Sequence, residues 1–292
     1  MTGKNRSSGA DSDASKRETM VTNVPGAVAV PSTIPDVQSK RDERRIAIDL
    51  VGVKNVTYPF ILHTPDGGEQ PTVASINMYV SLPHHQKGTH MSRFLEVLNE
   101  HNSAPIKPED IPLVARRVKE RLEAEQAHIE LAFTYFIKKF APVTKMPGLM
   151  DYKVTFECTA NSHEDFILGV KAPATSLCPC SKEISRYGAH NQRCEIEAKV
   201  RFKGSLWIED LAKMIEQSAS EQVYAVLKRP DEKAVTEGAF ENPKFVEDIV
   251  RDLALTLDDD DRITWYSINS ENYESIHSHN AYAQITRDKR TT

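Results

Sequence analysis

The segment from Ser176 to Arg193 reads Ser-Leu-Cys-Pro-Cys-Ser-Lys-Glu-Ile-Ser-Arg-Tyr-Gly-Ala-His-Asn-Gln-Arg and gathers the side chains best suited to chemistry. Cys178 and Cys180 flank Pro179, and His190 follows ten residues after the second cysteine. Thiolates and a neutral imidazole suit Zn²⁺ and other divalent ions of borderline softness, and three or fewer protein ligands leave a position for water. The same residues can instead form a reactive-thiol site, or be small buried hydrophobes beside a surface histidine. A Cys-x-Cys pair in an extended loop need not converge on one ion, so only one of the two thiols is expected to ligate.

Two further clusters carry charge. Pro83 to Arg93 holds His84, His85, Lys87, His90 and Arg93 around Gly88, where a strand hands over to a helix. Unpaired backbone N–H groups and cations at a helix N-terminus make an anion site, against the alternative of a solvated polar turn. Glu271 to His279 offers Glu274 and His277 in one loop, able to supply a general acid and base or part of a metal shell, or simply to form a charged turn. Glu247 sits beside a helical apolar face of Phe245, Val246, Ile249 and Val250, and Glu232 lies in Arg229-Pro-Asp-Glu-Lys233; both read as solvated carboxylates.

The bulk numbers narrow the setting. The chain has 292 residues, 39% of them hydrophobic, which is enough for one large domain or two small ones. Forty-two acidic against 37 basic residues give a net charge of -5, which argues against broad nucleic-acid binding but leaves room for a local anion pocket. No run approaches the roughly 18 apolar residues of a membrane span, and the first 40 residues lack the apolar core of a secretory signal. Four cysteines are too few for a disulfide scaffold, and Cys-Pro-Cys is too tight for a bridge between its own thiols. A cytoplasmic setting with reduced thiols is the expectation.

The elements that must position these residues follow from periodicity. Residues 1–40, rich in Ser, Thr, Asp, Gly and Pro, read as a disordered arm. Ile46, Ile48 and Leu50 alternate with Ala47 and Asp49 as a half-buried strand, Thr64-Pro-Asp-Gly-Gly68 marks a turn, and Ile76 to Leu82 alternates again. A helix is expected over 89–101, and a second, long one over 110–140, with Pro112 in its first turn and Val114, Val118, Leu122, Ile129, Phe133 and Ile137 as one stripe. Strands return at 152–158 and 166–170, the cysteine segment is a loop, and Cys194 to Phe202 is an amphipathic strand. Helices over 208–227 and 243–257 precede strands at 263–268 and 281–286. Strands, two helices and strands, twice over, describe an α+β chain with two related halves, 41–175 and 176–292.

Four segments together resemble one family. Leu82-Pro-His-His-Gln-Lys-Gly-Thr-His-Met-Ser-Arg-Phe94, Ser176-Leu-Cys-Pro-Cys-Ser-Lys182, Ala189-His-Asn-Gln-Arg193 and Lys228-Arg-Pro-Asp-Glu-Lys233 look like GTP cyclohydrolase of type IB, with the likeness running over about 42–287. The resemblance implies a tunnelling fold with two tandem units of antiparallel sheet and two helices, and a homotetramer with sites between subunits. It implies conversion of GTP and water to 7,8-dihydroneopterin triphosphate and formate, at the head of the folate pathway, with Mn²⁺ or Zn²⁺. Carried over by position, Cys178 is catalytic and a metal ligand, paired with His190. Glu232 and His277 join the metal neighbourhood, Glu247 anchors the guanine, and Glu274 and Cys180 are site neighbours. Lys87, His90 and Arg93 are the candidates for the triphosphate. The rivals are an archaeal-type GTP cyclohydrolase, a nitrile reductase of the same fold, and a nucleotide- or metal-binding protein without turnover.

Overall fold

A computed structural model describes residues 35–100 and 110–291; most of the expected disordered arm, 1–34, lies outside the described residues. From Val37 on, the chain is one compact unit. Its elements are β1 (Ile48–His63), β2 (Glu69–Leu82), α1 (Met91–Glu100), α2 (Ile111–Arg121), β3 (Ala127–Phe140), β4 (Pro147–Ala160), β5 (Glu164–Leu177), α3 (Pro179–Ile184), β6 (Asn191–Phe202), α4 (Ile208–Ser218), β7 (Glu221–Gln222), α5 (Arg229–Glu241), α6 (Val246–Asp259), β8 (Ile263–Asn272) and β9 (Ala281–Asp288). The strands form a single antiparallel sheet in the order β1-β2-β3-β4-β5-β6-β8-β9, with β7 pairing to β5 off that path.

Period-two alternation builds this sheet. In β3, β4, β5 and β6 every second residue is buried, from Ile129 and Leu131 through Val154 and Phe156 to Val170 and Ala172, and then Ile196 and Ala198. The helices cover that one face: Phe94 and Val97 of α1, Val114 and Val118 of α2, Leu211 and Ile215 of α4, and Ile249 and Leu253 of α6 share one core with the strands. The opposite face carries polar side chains that pair across strands, such as Lys199 Nζ to Glu157 at 2.7 Å and Asn77 Nδ2 to Glu130 at 2.8 Å.

Two strands, helices and two strands occur twice along the chain, the second run beginning at β5, which holds both residue 175 and residue 176. Both runs share the sheet and the core.

Other expectations need correction. The helix read over 110–140 is two elements: α2 stops at Arg121, Glu123 adopts a φ of +54°, and β3 takes over at Ala127. A spacing of four satisfies a strand period as well as a helix period, and Ala127, Leu131 and Tyr135 fill the intervening inward positions of a strand. The helix read over 208–227 ends at Ser218. Ile48 and Leu50 lie at the start of β1, the edge strand, and both are exposed rather than half-buried. The end of the expected arm is also ordered, because Lys87 N and Gly88 N donate to the carbonyls of Lys40 and Gln38.

Strand direction decides where the loops meet. In this antiparallel order four of the five β-to-β connections, 64–68, 141–146, 178–190 and 273–280, lie at one end of the sheet, and the β4–β5 turn at 161–163 lies at the other. The connections into and out of the helices from β2 and β6 start at the other end.

Candidate functional site

The loop between β5 and β6 is closed at its base by the amide of Cys178 donating to the carbonyl of His190 at 3.1 Å. Cys178 has extended backbone and caps α3: its Sγ accepts from Ser181 N at 3.4 Å, and Pro179 fills the first helical position, where a missing N–H costs little. The cysteine segment, expected as plain loop, therefore contains one short helix. Ser181 Oγ ties both chemical residues together, donating to Cys178 O at 3.1 Å and accepting from His190 N at 3.2 Å.

The four cysteines separate cleanly. Cys158 and Cys194 are core residues whose thiols burial pushes up to about 12, so they stay protonated and inert. Cys178 is half-buried and Cys180 exposed, both at the sheet end where the loops gather.

A second loop, between β8 and β9, adjoins the first because β6 and β8 pair, with Cys194 opposite Asn272. From it Glu274 accepts from Gln192 Nε2 at 3.1 Å, while the same Gln192 places its Oε1 2.8 Å from His190 Nδ1. His277 Nδ1 stands 3.2 Å from the other oxygen of Glu274, and Ser275 Oγ is 3.1 Å from His190 Nδ1. Cys178, His190, Glu274 and His277 thus belong to one hydrogen-bonded chain. Beneath it the sheet's inner face turns polar, with buried Asn272 donating to Ser176 Oγ at 2.9 Å and Ser176 donating to Lys244 O at 2.9 Å.

Glu232 and Glu247 reach the same end of the sheet by different routes. Glu232 is not in an exposed turn but in the first turn of α5, still solvent-facing and 4.0 Å from Arg229. Its neighbour Asp231 is fully buried and pins α5: the carboxylate accepts from Val143 N at 2.9 Å, Thr144 N at 2.8 Å, Thr144 Oγ1 at 2.6 Å and Lys228 N at 2.9 Å. Burial opposes its ionisation, and these donors outweigh that and hold its carboxyl well below the ordinary range. One and two turns along from Glu232, Thr236 and Phe240 line a cavity of about 630 Å³ with Leu177, Tyr187 and Asn191, so one face of α5 looks onto the cysteine loop. Lys182 fastens the far end of α5 to that loop through the carbonyl of Phe240 at 2.5 Å. Glu247 is exposed in the first turn of α6, just after Lys244, whose amide donates to Leu177 O at 3.1 Å.

Lys87, His90 and Arg93 fall elsewhere. They follow β2 and lead into α1, at the opposite end of the sheet from Cys178 within one chain. Glu232 likewise makes no contact with the Cys178–His190 chain of bonds, and among the described residues no three His, Cys, Asp or Glu side chains are gathered at metal-ligand spacing.

Sequence reasoning missed four contributors: Ser181, Gln192, Asp231 and Ser275. Only Asp231 had a usable signal, since Pro230 followed by an acid is a helix-start pattern.

Comparison with known proteins bears on both fold and family. A uricase from Bacillus fastidious is 7% identical and superposes with a TM-score of 0.51, covering 83% of this chain and 93% of that one, a likeness in the tunnelling fold alone. The family description "Type I GTP cyclohydrolase folE2" matches residues 34–283. A protein named GTP cyclohydrolase FolE2 from Nitrosococcus oceani is 53% identical over 262 residues, covering 89% of this chain and 98% of that protein. Its namesake from Magnetococcus marinus is 54% identical over 260 residues, covering 88% and 97%. With the family description spanning most of the chain and relatives this similar at full length, the chain belongs to the type I GTP cyclohydrolase FolE2 family.

Proposed function

We propose that this chain is a type IB, metal-dependent GTP cyclohydrolase, acting in the cytoplasm as a homotetramer at the first step of tetrahydrofolate synthesis. The reaction takes GTP and one net water to 7,8-dihydroneopterin triphosphate and formate. Water adds at C8 of the guanine, the imidazole ring opens, C8 leaves as formate, and the ribose carbons rearrange and close on the diaminopyrimidine. The observation that carries this reading is the joining of Cys178 and His190 in one closed loop, with Glu274 and His277 delivered to it by the adjacent loop.

The donor types suit a divalent ion of borderline softness, Mn²⁺ or Zn²⁺; Cys178, His190, Glu232 and His277 would hold it, and would have to draw together from their ungathered positions in the single chain. Such an ion would supply hydroxide from water near neutral pH, which a poorly electrophilic ring carbon requires. Cys180 would be a further neighbour of the site. Glu247 would accept hydrogen bonds from the guanine N1–H and 2-amino group as a bidentate pair. Glu274, bonded to His277 and to Gln192, would accept and return protons. Lys87, His90 and Arg93 would neutralise the triphosphate, and their position at the far end of the sheet calls for a second copy of the chain to bring them in.

The test is to strip the purified protein of metal, restore Mn²⁺ or Zn²⁺, and follow formate release together with the mass of the pterin product. Metal-dependent 7,8-dihydroneopterin triphosphate is the expected result. A cyclic phosphate product would favour the archaeal-type reaction, and no product with any metal would end the cyclohydrolase reading.

A further inference from the structure

Gln192 is given no role of its own in the reading above, yet it is the buried link between the two loops. Its amide is held by groups with unequal options. The Glu274 carboxylate can only accept, so the amide must turn its NH₂ toward Glu274, at 3.1 Å. That leaves the amide oxygen facing His190 Nδ1 at 2.8 Å. An oxygen cannot donate, so Nδ1 must carry the ring proton, and the hydroxyl of Ser275, 3.1 Å from the same nitrogen, can share it as a second acceptor. In a neutral imidazole with its proton on Nδ1, the lone pair sits on Nε2.

We infer that Gln192 is a positioning residue: it reads the negative charge of Glu274 and converts it into a fixed tautomer and ring orientation of His190, with the Nε2 lone pair presented to the site. A glutamine suits this task better than a carboxylate or an apolar residue. A carboxylate would accept from Nδ1–H but repel Glu274, and an apolar side chain would satisfy neither neighbour. The same logic extends to His277, whose Nδ1 faces Glu274 at 3.2 Å and must donate to it, leaving a second Nε2 lone pair. What Nε2 faces rests on the reading under Proposed function; the tautomer itself does not.

Neutron diffraction from the metal-free protein, at a pH well above the ordinary histidine range, observes the deuteron directly. Wild type is expected to carry a deuteron on His190 Nδ1 and none on Nε2; the reverse would overturn the inference without any variant. Gln192→Met keeps the side-chain length and removes both hydrogen bonds, and is expected to release the ring, with the deuteron on Nε2 or the ring turned. An unchanged Nδ1–H and ring orientation in that variant would remove Gln192 from the role and leave Ser275 as the determinant. Ser275→Ala is expected to leave the tautomer as in wild type, and its loss there would equally overturn the assignment to Gln192. Chelator competition supplies the link to function: Zn²⁺ affinity is expected to fall about 10–100-fold in Gln192→Met, the size of effect general for residues that orient a metal ligand. A shifted tautomer with undiminished Zn²⁺ affinity would count against metal binding by His190, not against the role of Gln192 in placing its proton.

Discussion

The β1–β2 and β5–β6 hairpins are closed alike and differ in the length of chain beyond the closing bond. Between β1 and β2 the connection is Thr64–Gly68, five residues, closed by Thr64 N donating to Gly68 O at 3.1 Å. Between β5 and β6 the connection is 178–190, closed at the same point by Cys178 N donating to His190 O at 3.1 Å. The β3–β4 and β8–β9 hairpins show a smaller contrast, with six residues at 141–146 against eight in the 273–280 loop that carries Glu274 and His277. All four sit at one end of one sheet. The candidate site residues of these hairpins lie in the longer connections. The 178–190 loop keeps the closing bond of the short turns, whereas Tyr273 N, at the base of the 273–280 loop, donates to Arg193 O at 2.9 Å and ties that loop to β6. A rigid hairpin base with a long tip is how a sheet holds reactive groups in place without burying their backbone.

The largest break in that comparison comes from the thiol. Cys178→Ala is expected to lower formate release from GTP by roughly 10³-fold or more, as when one member of a catalytic unit is removed. Cys178→Ser retains an oxygen able to cap Ser181 N, so its fold should be at least as stable as that of the alanine variant while its turnover is lost all the same. Steady-state kinetics with thermal melts on the two variants decide this. A serine variant with near wild-type turnover would reduce the thiol to a helix cap.

A matched pair of glycines sharpens the contrast. Gly67 (φ +80°) lies in the short turn and Gly188 (φ +121°) in the long loop, and an added Cβ would meet no atom within 4 Å at either. Alanine at each therefore costs backbone strain alone, about 1–3 kcal/mol. Both variants should melt a few degrees lower, about 2–4 °C per kcal/mol in a chain of this size. Only Gly188→Ala should also lose turnover, about 10–100-fold, because it displaces His190 two residues on. Equal activity in both variants would mean that the long loop does not need its shape.

How much of this was legible in the sequence depends on what kind of signal each feature left. Strand readings fell on seven of the eight long strands, and alternation carried them where inward and outward residues differ in polarity, as in Cys194 to Val200, though at β1 it misjudged the burial of Ile48 and Leu50. It failed in β3, where Ile129, Phe133 and Ile137 are four apart and fit either period. It also missed α5, whose buried face is little more than Asp231 and Ala239, too small to leave a stripe. Cys178, His190, Glu274 and His277 were nameable from residue type and family resemblance, but their meeting depends on β6 pairing with β8, a long-range fact. Gln192 left no mark of its own, since a buried amide earns its role only from the two neighbours that orient it. The neighbourhood of Lys87, His90 and Arg93 could not be read at all from one chain's sequence. Which end of the sheet a motif occupies follows from counting antiparallel strands, and that count needed β3 to be recognised as a strand.

The smallest effect tests whether the second half is functional throughout or only at its loop-bearing end. The connection from α6 to β8 lies in that half, at the end away from Cys178, and looks purely structural. Asp260 accepts from Arg262 N at 2.9 Å, Nε at 3.0 Å and Nη2 at 2.7 Å, and Lys289 Nζ caps the end of α6 through the carbonyls of Leu257, Asp258 and Asp260. The hydrogen-bonded Arg262 side chain, against the opposing effect of burial, holds the Asp260 carboxyl below its ordinary range. A carboxyl depressed in the folded state contributes stability that is fully present above its unfolded value, about 3.9, and is lost as pH falls through the lower folded value. Asp260→Asn should therefore be less stable than wild type by about 1–3 kcal/mol at neutral pH, the range for a charged hydrogen bond. The gap should close in acid, and turnover at 25 °C should not change. Urea melts across the acid range would expose the alternative: a gap that stays constant with pH would make the loss one of packing, not of the carboxylate's charge.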